Sequence, residues 1–166
     1  MCAAHHAAMD EAAYKFSELL RRIENIVRRG VIVAVDTGAA RVRVALGANE
    51  TDWLPWLTLR AGTDRTWWAP DEGEQVIVFS ESGDFNNGFV LPASYSDAHP
   101  APENDPHVAE ILFGDGAILT YDKGSHTLDI TLPDAGEISL NVGRSTLSLT
   151  DAGTLLKTPS FEGMKA

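Results

Sequence analysis

The stretch Thr51–Pro92 reads TDWLPWLTLRAGTDRTWWAPDEGEQVIVFSESGDFNNGFVLP. All four tryptophans, Trp53, Trp56, Trp67 and Trp68, fall in its first half. Its second half carries hairpin chemistry. Gln75–Ser80 (QVIVFS) follows the turn residues Glu72-Gly73-Glu74, and Gly88–Leu91 (GFVL) follows Asn86-Asn87. β-Branched and aromatic runs set between Gly and Asn turn signals are the pattern of short strands. Upstream, Gly30–Val35 (GVIVAV) and Arg41–Leu46 (RVRVAL) read as two more strands around Asp36-Thr37-Gly38. Arg41 and Arg43 alternate with Val42 and Val44, so one face is wet and the other buried. Trp53–Leu59 (WLPWLTL) completes the set, with Pro55 marking an edge or a bulge because it has no N–H for a ladder. Five short strands with a long excursion between the third and fourth fit a small Greek-key barrel of the OB type. Trp53, Trp56, Trp67, Trp68, Phe79 and Phe89 are expected in its core or at an interface. Adjacent residues on a strand face opposite ways, so one of Trp67 and Trp68 should point outward, to a protein interface or a stacked ligand.

Ahead of the barrel, Asp10–Arg29 reads as one helix. Phe16, Leu19, Leu20, Ile23, Ile26 and Val27 recur at spacings of three and four, Arg28 and Arg29 suit a helix C-terminus, and Gly30 supplies a stop. This helix packs either on its own domain or against a copy or neighbouring subunit. Behind the barrel, three prolines in His99–Pro106 (HPAPENDP) make a linker. The organisation is then a helical segment at 1–29, an OB-type domain at 30–96, a Pro-rich linker at 97–107 and a distinct tail at 108–166.

The tail changes character. Alternating runs EILF (110–113), AILTYD (117–122), TLDITL (127–132), EISLNV (137–142), STLSLT (145–150) and GTLLKT (153–158) recur between Gly-, Asp- and Pro-containing turns. Aromatics fall from ten in residues 1–106 to three after them, so the tail lacks the bulk for a private core. A meander of four- to six-residue strands with one aliphatic face is marginal alone. Three such ribbons wound round a common axis would turn every apolar face inward and pair every strand edge. The residues assigned to that axis are Ile118, Leu128, Ile130, Leu132, Ile138, Leu140, Val142, Leu147, Leu149 and Leu155. The alternative is a small β sandwich within one chain.

Composition narrows function. The net charge is −11, and both parts of the chain are acidic, which argues against nucleic acid and against docking on anionic lipid. No apolar run approaches the roughly 20 residues of a spanning helix, and the N-terminus lacks the organisation of a secretory signal. Cys2 alone makes neither an intrachain disulfide nor a metal site. The His5-His6 pair sits in an Ala-rich end and is a weak candidate for a metal. Asp71, Glu72 and Glu74 read as a solvated turn, with no histidine or nucleophile placed beside them. No nucleophile elbow, P-loop or C-x-x-C pattern occurs, so no catalytic residue is assigned.

Residues 51–102, above all Trp53–Trp56, Arg60–Pro70, Gly73-Glu74-Gln75-Val76 and Gly88–Pro92, closely resemble the baseplate assembly protein V family of contractile-tailed bacteriophages. That family includes the tail spikes of R-type pyocins, and it is more distantly similar to the spike of type VI secretion systems. The match runs from about Arg22 to Leu132. The resemblance implies a homotrimer: OB-fold domains forming a collar at the end of the tail tube, and a C-terminal triple-stranded β-helix needle that punctures the outer membrane when the sheath contracts. It implies tail tube and baseplate hub proteins as partners, with the N-terminal helix facing them. Carriage would be in a phage or bacteriocin particle after synthesis in the host cytoplasm. Related needles often end in a histidine-containing apex that binds iron. Here the sequence closes with TPSFEGMKA and no histidine follows His126, so no iron ligand is carried over: either a separate tip protein caps a blunt needle, with Phe161 and Met164 beneath it, or the chain is a shortened version. A cell-wall hydrolase hub component and a glycan- or receptor-binding tail module using Trp67 or Trp68 are the competing readings.

Overall fold

The computed structural model describes residues 2–92 and 94–163, with side chains from residue 11 onward. Expectations for Cys2, His5, His6 and Met164 fall outside the described side chains. Two compact units are present, Met1–Pro100 and Ala101–Ala166.

The first unit opens with helix α1 (Cys2–Asn25) and continues through β1 (Val27–Asp36), β2 (Arg41–Leu46), β3 (Asn49–Glu50), β4 (Leu54–Pro55), β5 (Gln75–Ser80), a 3-10 turn at Glu81–Gly83 and β6 (Gly88–Leu91). The sheet order is β3-β2-β1-β5-β6, and β4 pairs with β2 through Arg41–Pro55 and Val42–Leu54. Trp56, the residue after β4, forms a parallel bridge to Val90 of β6, and the Leu57 N–H donates to the Val90 carbonyl at 2.7 Å. That single bridge closes the sheet into a barrel running β1-β2-β4-β6-β5 and back to β1. Strand β1 can serve two neighbours because it is 10 residues long and carries a bulge between Ile32 and Ala34, which bends it.

The barrel interior is mainly aliphatic: Ile32, Val42, Val44, Leu46, Leu54, Val76, Val78 and Val90 are buried together. The alternation of β2 (RVRVAL) and β5 (QVIVFS) sends every second residue inward, as their patterns require. Thr51 is buried with them, and its hydroxyl accepts the Val44 N–H at 3.0 Å and donates to the Asp52 carbonyl at 2.8 Å.

The helix departs from its sequence reading. It ends at Asn25, and Arg28 and Arg29 belong to β1, where they pair with Val78 and Ile77. Ladder bonds to β5 begin at Val27, and the Ser80 N–H takes the Ile26 carbonyl at 2.8 Å, so strand pairing outcompetes a further helical turn. Gly30 is therefore no helix stop. It lies inside β1 where a Cβ would meet Val44 Cγ1 at 2.4 Å and the Ala45 carbonyl oxygen at 2.6 Å. The third strand is also shorter than read: WLPWLTL contributes β4 and the one bridge at Trp56.

The second unit holds two three-stranded antiparallel meanders, β7-β8-β9 and β10-β11-β12. Their strands are β7 (Val108–Leu112), β8 (Ile118–Asp122), β9 (Thr127–Thr131), β10 (Glu137–Val142), β11 (Ser145–Thr150) and β12 (Gly153–Lys157). Each lies on one of the alternating runs. The tight β8–β9 turn is organised by Asp122, whose carboxylate accepts from Ser125 Oγ and the Gly124 N–H, both at 2.7 Å. Those two donors hold its pKa below the ordinary value.

Gly30→Ala is expected to destabilise the barrel by about 1–3 kcal/mol, the usual cost of forcing carbon into a filled interior. Because all tryptophans lie between residues 53 and 68, denaturant unfolding followed by tryptophan fluorescence reads this unit alone. An unchanged midpoint would show that β1 and β2 can part at no cost.

Candidate functional site

No described group of three or more His, Cys, Asp or Glu side chains is arranged to hold a metal ion. A cleft of about 570 Å³ is lined by Asp71, Glu74, Ser94, Tyr95 and His99. It corrects one sequence reading, since His99 does come beside the acidic turn. The carboxylate of Glu74 is nevertheless used structurally, accepting the Asp71 N–H at 3.1 Å, and Ser94 Oγ donates to Gln75 at 3.3 Å. The more informative features are apolar surfaces.

The six aromatic residues singled out from the sequence surround the barrel instead of filling it. Phe79 and Phe89 are a cross-strand pair on the outer face of β5 and β6, stacked with ring centroids 5.2 Å apart. Val27 lies beside Phe79 and Leu91 beside Ile77, so the outer surface of β5 and β6 is largely apolar, bordered on β1 by Val27 and Arg29. Trp56 is half-buried against the aliphatic core, and its ring sits 5.5 Å from that of Trp67. Trp53, Trp67 and Trp68 are exposed. The alternation argument for Trp67 and Trp68 fails because no strand runs through them. They follow a projecting loop tied at its base, where Thr58 Oγ1 and Thr66 Oγ1 lie 2.6 Å apart and the Thr66 N–H donates to the Arg60 carbonyl.

Helix α1 presents a reversed amphipathic pattern. Glu18, Arg22 and Asn25 share one stripe, at i, i+4 and i+7. Asn25 is buried and accepts from Arg28 at 3.2 Å, while the backbone of Arg22 lies so close to Gly83 that a Cβ there would collide with it. The helix thus rests its last turn, at Arg22 and Asn25, on its own barrel. Phe16, Leu19, Leu20 and Ile23 lie on the other side and are exposed. Sequence periodicity shows that the helix has an apolar face, but not which face its own domain covers.

In the second unit the register sorts the assigned axis residues. In the first meander, Leu128 and Ile130 share a face with Tyr121 and Leu119, their cross-strand partners. Ile118 lies on the opposite face, between Leu112 and Thr131. In the second meander, Ile138–Leu149 and Leu140–Leu147 are cross-strand pairs on the face that also carries Val142. Leu156 opposite Leu147 continues that face, while Leu155 lies opposite Ser148 on the other. Ile118 and Leu155 therefore lie on the opposite faces of their meanders from the other residues assigned to the axis. Leu132 lies just beyond β9, against Gly136 of the following turn. Among the described residues of this unit only Ala117 is buried. Leu128 and Leu140 are each 60% exposed, Val142 79%.

A closed barrel of this strand order, with its fourth strand bridged in parallel to its last, defines an OB domain. Residues 28–95 match the family described as the type VI secretion system/phage-baseplate injector OB domain. The chain is also 39% identical over 149 residues to the Spike protein of Escherichia phage P2, a match covering 90% of this chain and 65% of that protein. Both matches support kinship with the baseplate spike family. It spans a little under two thirds of the length of that relative.

Glu18 supplies a pH test of α1. Its carboxylate is bound by Arg21 and Arg22, with Nε distances of 2.8 Å each, which lowers its pKa from 4.5 to about 2. A depressed pKa stabilises the folded state above the unfolded value, and that contribution is lost as pH falls from 4.5 towards 2. Helical ellipticity of the wild-type protein should therefore fall more steeply over this window than that of Glu18→Gln. Parallel curves would show that the pairing contributes nothing to the helix.

Proposed function

We propose that this chain is a structural spike subunit of a phage-type baseplate, that it acts as a homotrimer, and that its C-terminal unit forms a needle that pierces the target envelope. The observation that carries this reading is the second unit without a buried core. Two meanders lay out aliphatic rows and leave them in water, and within one chain they do not close into a sandwich. A burial coefficient of about 25 cal/mol per Å² makes that arrangement costly to a lone chain. Copies related by a cyclic axis would remove the cost, because each apolar face then meets two others. The relative named Spike protein supports the same role. The reading is mechanical: a narrow fibre held by interchain hydrogen bonds and a continuous aliphatic interior concentrates an applied force on a point. Tail tube and baseplate hub proteins are the partners at the barrel end, and the working location is the tail of an assembled particle. No enzymatic step and no cofactor enters this reading.

Sedimentation at micromolar concentration is expected to give a trimer. A monomer with full β content would sink the proposal. Leu140→Asp should abolish the trimer while leaving tryptophan fluorescence unchanged, since an unpaired charge on the axis costs several kcal/mol in each chain and the barrel lies elsewhere in sequence. The register adds a sharper pair. Leu156→Asp should act like Leu140→Asp, whereas Leu155→Asp should sediment as the wild type; the reverse result would mean that the other face of β12 is the inner one.

A further inference from the structure

We infer that Asn87 is a site of spontaneous covalent modification in the folded chain: the backbone nitrogen of Gly88 closes on the Asn87 side-chain amide, and water opens the ring to an aspartyl or isoaspartyl residue. The inference is independent of the trimer and of the role proposed above.

The chemistry needs only water. The Gly88 nitrogen gives up its proton and bonds to Cγ of Asn87. The Cγ–Nδ2 bond breaks, ammonia leaves, and a succinimide ring remains. Water then adds to a ring carbonyl. Cleavage of the bond from Cγ to the ring nitrogen leaves an ordinary aspartate. Cleavage on the other side of that nitrogen leaves the main chain running through Cγ, longer by one carbon.

Sequence, ladder geometry and exposure converge on this residue. Asn87 is the only asparagine followed by glycine; Asn25, Asn49, Asn86, Asn104 and Asn141 precede Ile26, Glu50, Asn87, Asp105 and Val142, whose side chains crowd the attacking nitrogen. The ladder leaves the Gly88 nitrogen out. Gly88 lies opposite Ser80, and the Ser80 N–H turns away from β6 to the Ile26 carbonyl, while the next residue, Glu81, donates to the Asn87 carbonyl at 2.8 Å. Ser80 and Gly88 are therefore a non-hydrogen-bonded pair, and the Gly88 N–H points away from β5. Finally, Asn87 is exposed in the bend before β6, and its amide donates one long bond, to Glu81 Oε2 at 3.3 Å. By contrast, Asn86 Oδ1 accepts the Asp52 N–H and Asn141 Oδ1 accepts from Thr146.

The glycine is fixed by packing. A Cβ at Gly88 would collide with the Phe79 carbonyl oxygen, so the close approach of β5 and β6 demands the residue that makes Asn87 labile. Modification acts on the same turn. Either product replaces a neutral donor to Glu81 with a second carboxylate, in a cleft that Asp84 also lines. Arg21 and Arg22 line that cleft too, but Glu18 already engages both. The isoaspartyl product also lengthens the chain between the Asn87 N–H, which donates to the Asp84 carbonyl at 3.0 Å, and β6, whose Val90 closes the barrel.

The test holds the folded full-length protein at neutral and at mildly alkaline pH, with a parallel sample in urea. Isoaspartate is read with an isoaspartyl methyltransferase and labelled S-adenosylmethionine, and the site from fragment masses. The folded wild type is expected to accumulate label and the amide-to-acid mass change at residue 87, faster at alkaline pH, and Asn87→Gln to lose both. An Asn87 amide that stays intact in the folded chain while it converts in urea would overturn the inference, as would conversion at a different asparagine with Asn87 unchanged. The unfolding midpoint of the converted protein, followed by tryptophan fluorescence, should fall below that of Asn87→Gln held for the same time. Equal midpoints after conversion would overturn the assigned effect on the turn.

Discussion

Residues 108–157 are constrained by a shortage of cover. Each strand supplies one row of Leu, Ile, Val or Tyr on one face and Ser, Thr, Asp or Glu on much of the other, and its own chain supplies no second layer. A three-stranded meander becomes independently stable when its hydrophobic face packs against something. Side chains of this kind contribute about 1.5–3 kcal/mol each when fully buried and almost nothing when left in water. The proposed trimer follows from that deficit.

The first unit solves the same problem differently. Its strands also have one apolar face, but β4 and the Trp56–Val90 bridge let the sheet curl until that face is its own cover. A barrel this small accepts Val, Ile and Leu and excludes rings, so the aromatics that mark this stretch of sequence are displaced to the outside. There they form the stacked Phe79–Phe89 pair, the Trp56–Trp67 contact and the exposed loop end at Trp68. The same residues that look from the sequence like a core lie on the outer surface of the barrel.

What the sequence disclosed follows from the range of the forces involved. Strands β5, β6 and all six of the second unit were legible because alternation and turn chemistry are local. The inward rows of β2 and β5 were legible for the same reason. The end of α1 was not, because Val27–Arg29 suit either state and the decision belongs to β5, some fifty residues away. Gly30 carried a true signal that was misassigned: its missing Cβ answers to Val44 and Ala45 in space instead of to the helix before it. The faces of Ile118 and Leu155 were not legible because each adjoins another apolar residue, and only the cross-strand partner, Thr131 or Ser148, breaks the tie. The reversed helix was invisible for a related reason. Periodicity reports that two faces differ and is silent on which one the domain covers.

The two units have different requirements for becoming ordered. The barrel closes within one chain and needs no partner. The needle, on the trimer reading, gains its core only when three chains meet, so its formation depends on concentration and is slow when chains are dilute.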